Sequence, residues 1–165
     1  MSSFAIRLAT AADLPAIHDI YNHYVLHSTA TYQTIPDPLS AREAWFHSHG
    51  PSHPITVATT DQNQILAWAS LSPFHPRAAY SKTVEDSIYV HPHHHRQGLG
   101  SALLADLLTR AQSLGHHTVI ALISADQTPS LLLHTKHGFT PAGQLHQVGH
   151  KFNRWLDVAY LQKIL

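Results

Sequence analysis

The sequence contains no cysteine, which removes disulfide frameworks, thiolate metal sites and cysteine nucleophiles from the chemistry open to it. Charge is scarce and balanced. Charged residues make up 12% of the chain, and ten Lys and Arg offset ten Asp and Glu. A surface without a net field cannot hold a nucleic-acid backbone or an anionic membrane by charge, so neither is expected as a partner; a small polar ligand is. No apolar run approaches the roughly 20 residues of a membrane-spanning helix. Met1 to Asp13 lack the charged start and apolar run of a secretory leader. These absences set the expectation of a soluble, cytoplasmic protein.

Histidine, by contrast, is abundant, with 17 in 165 residues. Imidazoles titrate near pH ~6.5, so the chain turns cationic in mildly acidic medium. With 44% hydrophobic residues, residues 1–165 read as a single domain with a sizeable core. No internal repeat, low-complexity linker or second domain interrupts it.

Phe4, Ile6 and Leu8 alternate as in a half-buried strand. Thr10 and Asp13 read as a capping box ahead of a helix carrying Leu14, Ile17, Tyr21 and Tyr24 to about His27. Ser40 and Glu43 repeat that signal before a short second helix ending near Gly50. Ile55 to Thr59 and Ile65 to Leu71 form a hairpin about Asp61 to Gln64, and a loop runs from Pro73 to Lys82. Thr83 to Val90 is a strand with Val84, Ile88 and Val90 on one face and Glu85, Ser87 and Tyr89 on the other. A helix from about Gly98 presents Leu99, Leu103, Leu107 and Leu108 on one side and stops at Gly115. Thr118 to Ile123 is a strand, Thr128 and Pro129 cap and open a helix ending at Gly138, and two strands, Phe139 to Val148 and Arg154 to Leu165, close the order β-α-α-β-β-β-α-β-α-β-β.

The strongest chemical signal is the stretch from Tyr89 to Leu104, where a strand leads through a glycine-containing loop into a helix. Such a junction points unpaired backbone N–H groups at one place, and the helix dipole favours an anion there. A pyrophosphate would fit, with Gly98 and Gly100 allowing close approach and Arg96 adding a charge-assisted contact. The same loop carries His91, His93, His94 and His95. Imidazole clusters can bind zinc, nickel or copper, but adjacent loop histidines seldom converge on one ion, so no metal site is assigned.

This loop resembles the acetyl-CoA loop of the GNAT superfamily of N-acetyltransferases. Ser130 to Phe139 is similar to the family's helix ending in a Gly-Phe pair. Thr29 to Tyr32, Pro73 to Arg77, Thr83 to Val90 and Gly149 to Asp157 resemble the phosphinothricin and methionine sulfoximine acetyltransferase branch. The resemblance spans most of the chain. It implies an α/β (α+β) GNAT fold, a mixed, splayed sheet of about seven strands flanked by about four helices, with acetyl-CoA bound against the loop after the fourth strand.

By position, the implied cofactor contacts are Ile88, Tyr89, Val90, His95, Arg96, Gln97, Gly98, Leu99, Gly100, Ser101 and Gln127. The backbone of Val90 would face the thioester. His95 and Gln127 depart from the residues usual in the family. Glu85 is the implied general base, acting directly or through water. A carboxylate in a partly desolvated cleft has a raised pKa suited to that role, although a strand glutamate could instead pair with Arg77 or Lys82. His134 stands where many members place a Tyr that protonates coenzyme A sulfur. The substrate side falls on His75, Pro76, Arg77, Glu85, Asp86 and Ser87, with Arg77 able to grip a carboxylate at two points. Lys151, Phe152, Arg154 and Trp155 either close the pocket, from this or a partner subunit, or are structural.

The implied reaction is acetyl transfer from acetyl-CoA to the amino group of a small L-amino-acid-like substrate such as methionine sulfoximine, methionine sulfone or phosphinothricin, by a homodimer. Alternatives are the same chemistry on a polyamine, an aminoglycoside or a protein N-terminus, or a non-catalytic acyl-CoA or metal-binding module.

Overall fold

A computed structural model describes residues 4–165; of the segment read for a leader, Met1, Ser2 and Ser3 lie outside the described residues. The strands are β1 (Ala5–Leu8), β2 (Ile55–Thr59), β3 (Ile65–Pro73), β4 (Thr83–Val90), β5 (Thr118–Ser124), β6 (Thr140–Lys151) and β7 (Arg154–Ile164). The helices are α1 (Leu14–His27), α2 (Leu39–Ser48), α3 (Leu99–Ser113) and α4 (Thr128–Lys136). This is the order read from the sequence, with short 3₁₀ turns at Ala11–Asp13, Ala78–Tyr80 and Pro92–His94.

The seven strands form one sheet in the order β1-β2-β3-β4-β5-β7-β6. Only β4 and β5 run parallel, and their register covers just Thr83, Val84 and Glu85 against Thr118, Val119 and Ile120. Beyond Glu85 the two strands separate. β5 meanwhile stays paired with β7 along its whole length, from Thr118 opposite Ile164 to Ser124 opposite Val158, so the gap is confined to the β4 side.

At β3 both faces of the sheet are covered, which is why that strand is buried almost continuously instead of alternating. On one face Ile17 and Ile20 of α1 pack with Val57 and Trp68. On the other, Leu99, Leu103, Leu104 and Leu107 of α3 meet Leu71, Val84, Val119 and Phe139. The apolar stripe of α3 differs by one position from expectation, because Leu104 is fully buried while Leu108 only borders the core.

Three caps also differ. The Asp13 carboxylate does accept from the Thr10 amide and hydroxyl at 2.7 and 3.0 Å, but it closes the 3₁₀ turn, and α1 starts one residue later. There it also takes a two-point contact from Arg7 at 2.7 and 2.8 Å. Ser40 lies inside α2, whose N-cap position is Pro38: the proline's extended backbone sets the helix start without a side-chain cap. Thr128 is the first residue of α4, with Gln127 at its N-cap and Pro129 in the first turn.

Strand β6 runs three residues past expectation, to Lys151, and is exposed along nearly all of its length. Bulges between Pro141 and Gly143 and between Leu145 and Gly149 let it keep pairing with β7. At its end the buried Lys151 ammonium donates to the carbonyls of Ser28 at 2.6 Å and Thr31 at 2.8 Å. A cation thus closes the C-terminal end of α1, where carbonyls lack helical partners. Gly149 lies directly under the Tyr32 ring, whose hydroxyl donates to the Asp157 carbonyl at 2.7 Å.

Candidate active site

The separation of β4 from β5 opens a cavity of about 1300 Å³. Its walls are the splayed strands, the loop from Pro92 to Ser101, the starts of α3 and α4, and the α1–α2 side of the sheet. The β4 backbone supplies one wall directly. The His91 amide bonds Leu66 O on the β3 side at 2.8 Å, so by strand alternation the polar groups of Val90 and Ile88 point toward the splay.

The loop is shaped for an anion. Arg96 (φ 60) and Gly98 (φ 83) both lie in the left-handed region, turning the chain sharply into α3. Gly98 occupies the N-cap position and no side chain caps the helix. The first amides of α3 therefore have no partner from within the helix and remain free to donate. At Gly100 a Cβ would meet Leu133 Cδ2 at 3.4 Å, an ordinary contact, so α3 and α4 lie close here without the position demanding glycine. This donor set fits a pyrophosphate, and acetyl-CoA held here would supply the activated acetyl group.

The two faces of β4 carry different chemistry. Glu85 is half-buried on the α1–α2 side, and its carboxyl is raised above the usual range by burial and then by the neighbouring Asp86 charge. Among the described residues Glu85 forms no ion pair with Arg77 or Lys82, so the structure does not show the alternative of a strand glutamate paired with either. On the opposite face Asp86 is buried, and its Oδ2 lies 2.9 Å from His134 Nε2. His134 Nδ1 lies 2.8 Å from the Ser130 carbonyl. Burial pulls the His134 imidazolium down, but the bond to Asp86 and its charge outweigh this and leave the group raised.

Of the residues expected at the site, Glu85, Asp86, Ser87, Ile88, Tyr89 and Val90 line the cavity, together with His95, Arg96, Gly98, Leu99, Gly100, Ser101, Gln127 and His134. Gln97 does not. Neither do His75, Pro76 and Arg77, whose loop leaves the end of the sheet beside Glu85, where Ser72 pairs with that residue. Arg77 is exposed at the start of the 3₁₀ turn, and the His75 ring packs against Tyr80 at 4.8 Å. Gln127 spends its side-chain amide on Thr29 Oγ1 at 2.7 Å. Arg154 pairs with Asp126, which also accepts from Thr29.

Two further residues of the cavity wall were not singled out from the sequence. Tyr24 donates its hydroxyl to Val90 O at 2.6 Å. Its single proton is thereby used, so His95 Nε2 is the donor in their 2.8 Å contact. Burial raises the phenol to about 12. The spacing of Tyr24, one turn after Tyr21, marks only a core position of α1. Arg42 is buried with its guanidinium 4.1 Å over the Tyr21 ring and 4.7 Å from Trp45. Its i, i+3 spacing to Trp45 was the available signal.

A family model described as "Acetyltransferase (GNAT) family" matches residues 17–139, and the chain belongs to that family. It is an acetyl-CoA-dependent N-acetyltransferase. It is 40% identical over 161 residues to the L-methionine sulfoximine/L-methionine sulfone acetyltransferase of Pseudomonas aeruginosa, covering 97% of this chain and 94% of that one. The GNAT superfamily phosphinothricin acetyltransferase of Sinorhizobium meliloti, solved in complex with AcCoA, superposes with a TM-score of 0.96 at 37% identity, over 100% and 89% of the two chains. The structure of yncA from Salmonella typhimurium with its cofactor acetyl-CoA gives a TM-score of 0.94 at 37% identity over 98% and 94%. Among the described residues no helix is long and apolar enough to cross a membrane.

Proposed function

We propose that the chain transfers the acetyl group of acetyl-CoA to the α-amino group of a small L-amino acid of the methionine sulfoximine, methionine sulfone or phosphinothricin type. The observation that carries this reading is the placement of Glu85 and the Asp86–His134 pair on opposite faces of β4, just where β4 and β5 part. A base and an acid are thereby held on the two sides of the point where an acyl group would change hands. The relatives named for those substrates support the choice of amine.

In this reading the free amides at the start of α3 hold the pyrophosphate of acetyl-CoA, and the backbone of Ile88 and Val90 lines the thin amide-bearing arm between that pyrophosphate and the thioester. Glu85, raised by burial, takes the ammonium proton directly or through water. Donors along the splayed β4 edge stabilise the developing oxyanion. His134 supplies a proton to the departing sulfur. Arg77, beside the Glu85 end of the sheet, reads the substrate carboxylate by reaching in from its loop.

The chain acts as a homodimer in this proposal. Leu145, Val148, Phe152 and Trp155 are 46%, 54%, 52% and 63% exposed on the β6–β7 hairpin, more apolar surface than one hairpin usually leaves in water. A native mass measurement reads the assembly. A cytoplasmic location accompanies the use of acetyl-CoA, and the balanced charge supports a partner list without nucleic acid or membrane.

The test is thiol release from acetyl-CoA with methionine sulfone, methionine sulfoximine and phosphinothricin beside their carboxyl-free amines, a polyamine and an aminoglycoside. Turnover confined to the amino acids is expected. Equal or greater turnover of the polyamine or aminoglycoside overturns the substrate class, and no thiol release with any amine overturns catalysis.

A further inference from the structure

His134 has two ring nitrogens, and both face oxygen. Nδ1 lies 2.8 Å from the Ser130 carbonyl. A backbone carbonyl can only accept, so Nδ1 bears a hydrogen. Nε2 lies 2.9 Å from Asp86 Oδ2. Charge pairing assigns the hydrogen of this contact to Nε2: Asp86 as a carboxylate only accepts, and the ring is then an imidazolium. The side chains of His134 and Asp86 are only 5% and 2% exposed, and a charge buried to that degree is tolerable only when paired.

Among the described residues the Asp86 side chain makes no other hydrogen bond. Its Oδ1 is buried without a partner, and its carboxylate points to the face of β4 opposite Glu85, away from the side assigned to the amine. This is a poor arrangement for binding substrate and a good one for fixing a neighbour's charge. We infer that Asp86 is a positioning residue that keeps His134 doubly protonated, making His134 the acid of the reaction and not a second base. The inference rests on the proposed acetyl transfer and assigns the source of one of its protons.

The new N–C bond forms as the acetyl C–S bond breaks, and the C–S electron pair goes to sulfur. Sulfur takes the Nε2 proton as that proton leaves its bond to Asp86 Oδ2, and Glu85 or its water holds the proton lost by the amine. The neutral imidazole that results keeps its Nδ1 hydrogen on Ser130. Reprotonation from solvent restores the pair with Asp86. Glu85 lies beside Asp86 on β4, and His137 at the end of α4, itself faced by Lys136 and by Lys163 of β7, is the other titratable group coupled to this ring. The Phe139 ring stands edge-on to His134 at 5.0 Å.

The experiment compares wild type with Asp86→Asn, which keeps the shape and removes the charge. Ring-proton NMR of the free protein, with His134 assigned from a His134→Gln variant, is expected to show the His134 titration falling by one pH unit or more in Asp86→Asn. The alkaline limb of the kcat–pH profile should move down by a similar amount, a tenfold change in the proton concentration required. KM for the amino acid should stay within about twofold. A tenfold rise in that KM with the limb unmoved would make Asp86 a substrate ligand and overturn the inference, as would an unchanged His134 titration. If Asp86→Asn does not fold, nitrogen-15 shifts of the wild-type ring at pH 7 decide: both nitrogens protonated supports the assignment, and a single neutral tautomer overturns it. These ring measurements need no acyl donor, so they fail or succeed independently of the amine panel.

Discussion

Gly149→Ala is a substitution of one methyl group whose consequence can be worked from distances. A Cβ at Gly149 would lie 2.5 Å from Tyr32 Cε2 and 2.6 Å from Cδ2. Carbon atoms rest at about 3.5 to 4.0 Å, so the ring must retreat by roughly 1 Å. Its hydroxyl is fixed at the other end, 2.7 Å from Asp157 O and 3.0 Å from Ser124 Oγ. A retreat of that size takes at least one of these bonds out of range. Overpacking costs about 1–3 kcal/mol and the lost net hydrogen bond about 0.5–1.5, so a destabilisation of about 2–4 kcal/mol is expected. For a chain of this size that lowers Tm by roughly 4–16 °C. Urea denaturation measures the loss, and repeating Gly149→Ala in a Tyr32→Ala background removes the obstructing ring. The second loss should fall below about 0.5 kcal/mol. Equal losses in both backgrounds, or a negligible loss in the first, would refute the reasoning. Tyr32 also lines the cavity, so the single variant should bind amino-acid substrate more weakly while keeping its affinity for acetyl-CoA.

Glu85→Gln should lower kcat at pH ~7 by about 10² to 10⁴, with KM for acetyl-CoA nearly unchanged. The deficit should shrink as pH rises and the amine arrives already neutral; wild-type turnover across that range would make Glu85 structural. Gly98→Val places a β-branched residue at φ 83, at a cost of about 1–3 kcal/mol, and should raise KM for acetyl-CoA strongly while leaving KM for the amine alone. An unchanged value in the folded variant removes the loop as the pyrophosphate site. Asp13 is held below the usual carboxylate range by its bonds to Arg7, which outweigh its burial. Its contribution is therefore complete above the unfolded value near ~3.9 and disappears as pH falls through the lower folded value. Denaturation of wild type and Asp13→Asn should show a stability gap that is constant from pH 5 to 8 and closes in acid.

Element order, the α3 loop and both faces of β4 were legible because each follows from local periodicity or from glycine placement. Helix starts were less so. Thr10, Ser40 and Thr128 are all good capping residues, yet backbone geometry at Pro38 and the Arg7–Asp13 contact decide where the chain turns. Tyr24 shows the limit in the site itself: its spacing announces a core position, but its hydroxyl reaches residue 90, and no local pattern reports a partner 66 positions away. The Asp86–His134 pair was hidden for the same reason. Each residue was singled out separately, and only the packing of α4 on β4 joins them. The loop of Arg77 is the reverse case, where a stretch that resembles a substrate loop lies outside the cavity wall.

The short register between β4 and β5 also decides what kind of acyl donor the protein can use. Past Glu85 and Ile120 the sheet contains an internal slot with strand edges on both sides and helices above and below. Its inner walls, at Ile88 and Val90, present peptide groups at strand spacing. A molecule that fills such a slot must be long, thin and furnished with amides of its own, so that it lies in the sheet as an eighth rung. A compact activated acetate lacks that length and those donors and would leave the slot wet. A donor held in this way would be selected through the arm that carries its acetyl group, and the gap in hydrogen bonding that weakens the bare sheet would be the same feature that measures the donor.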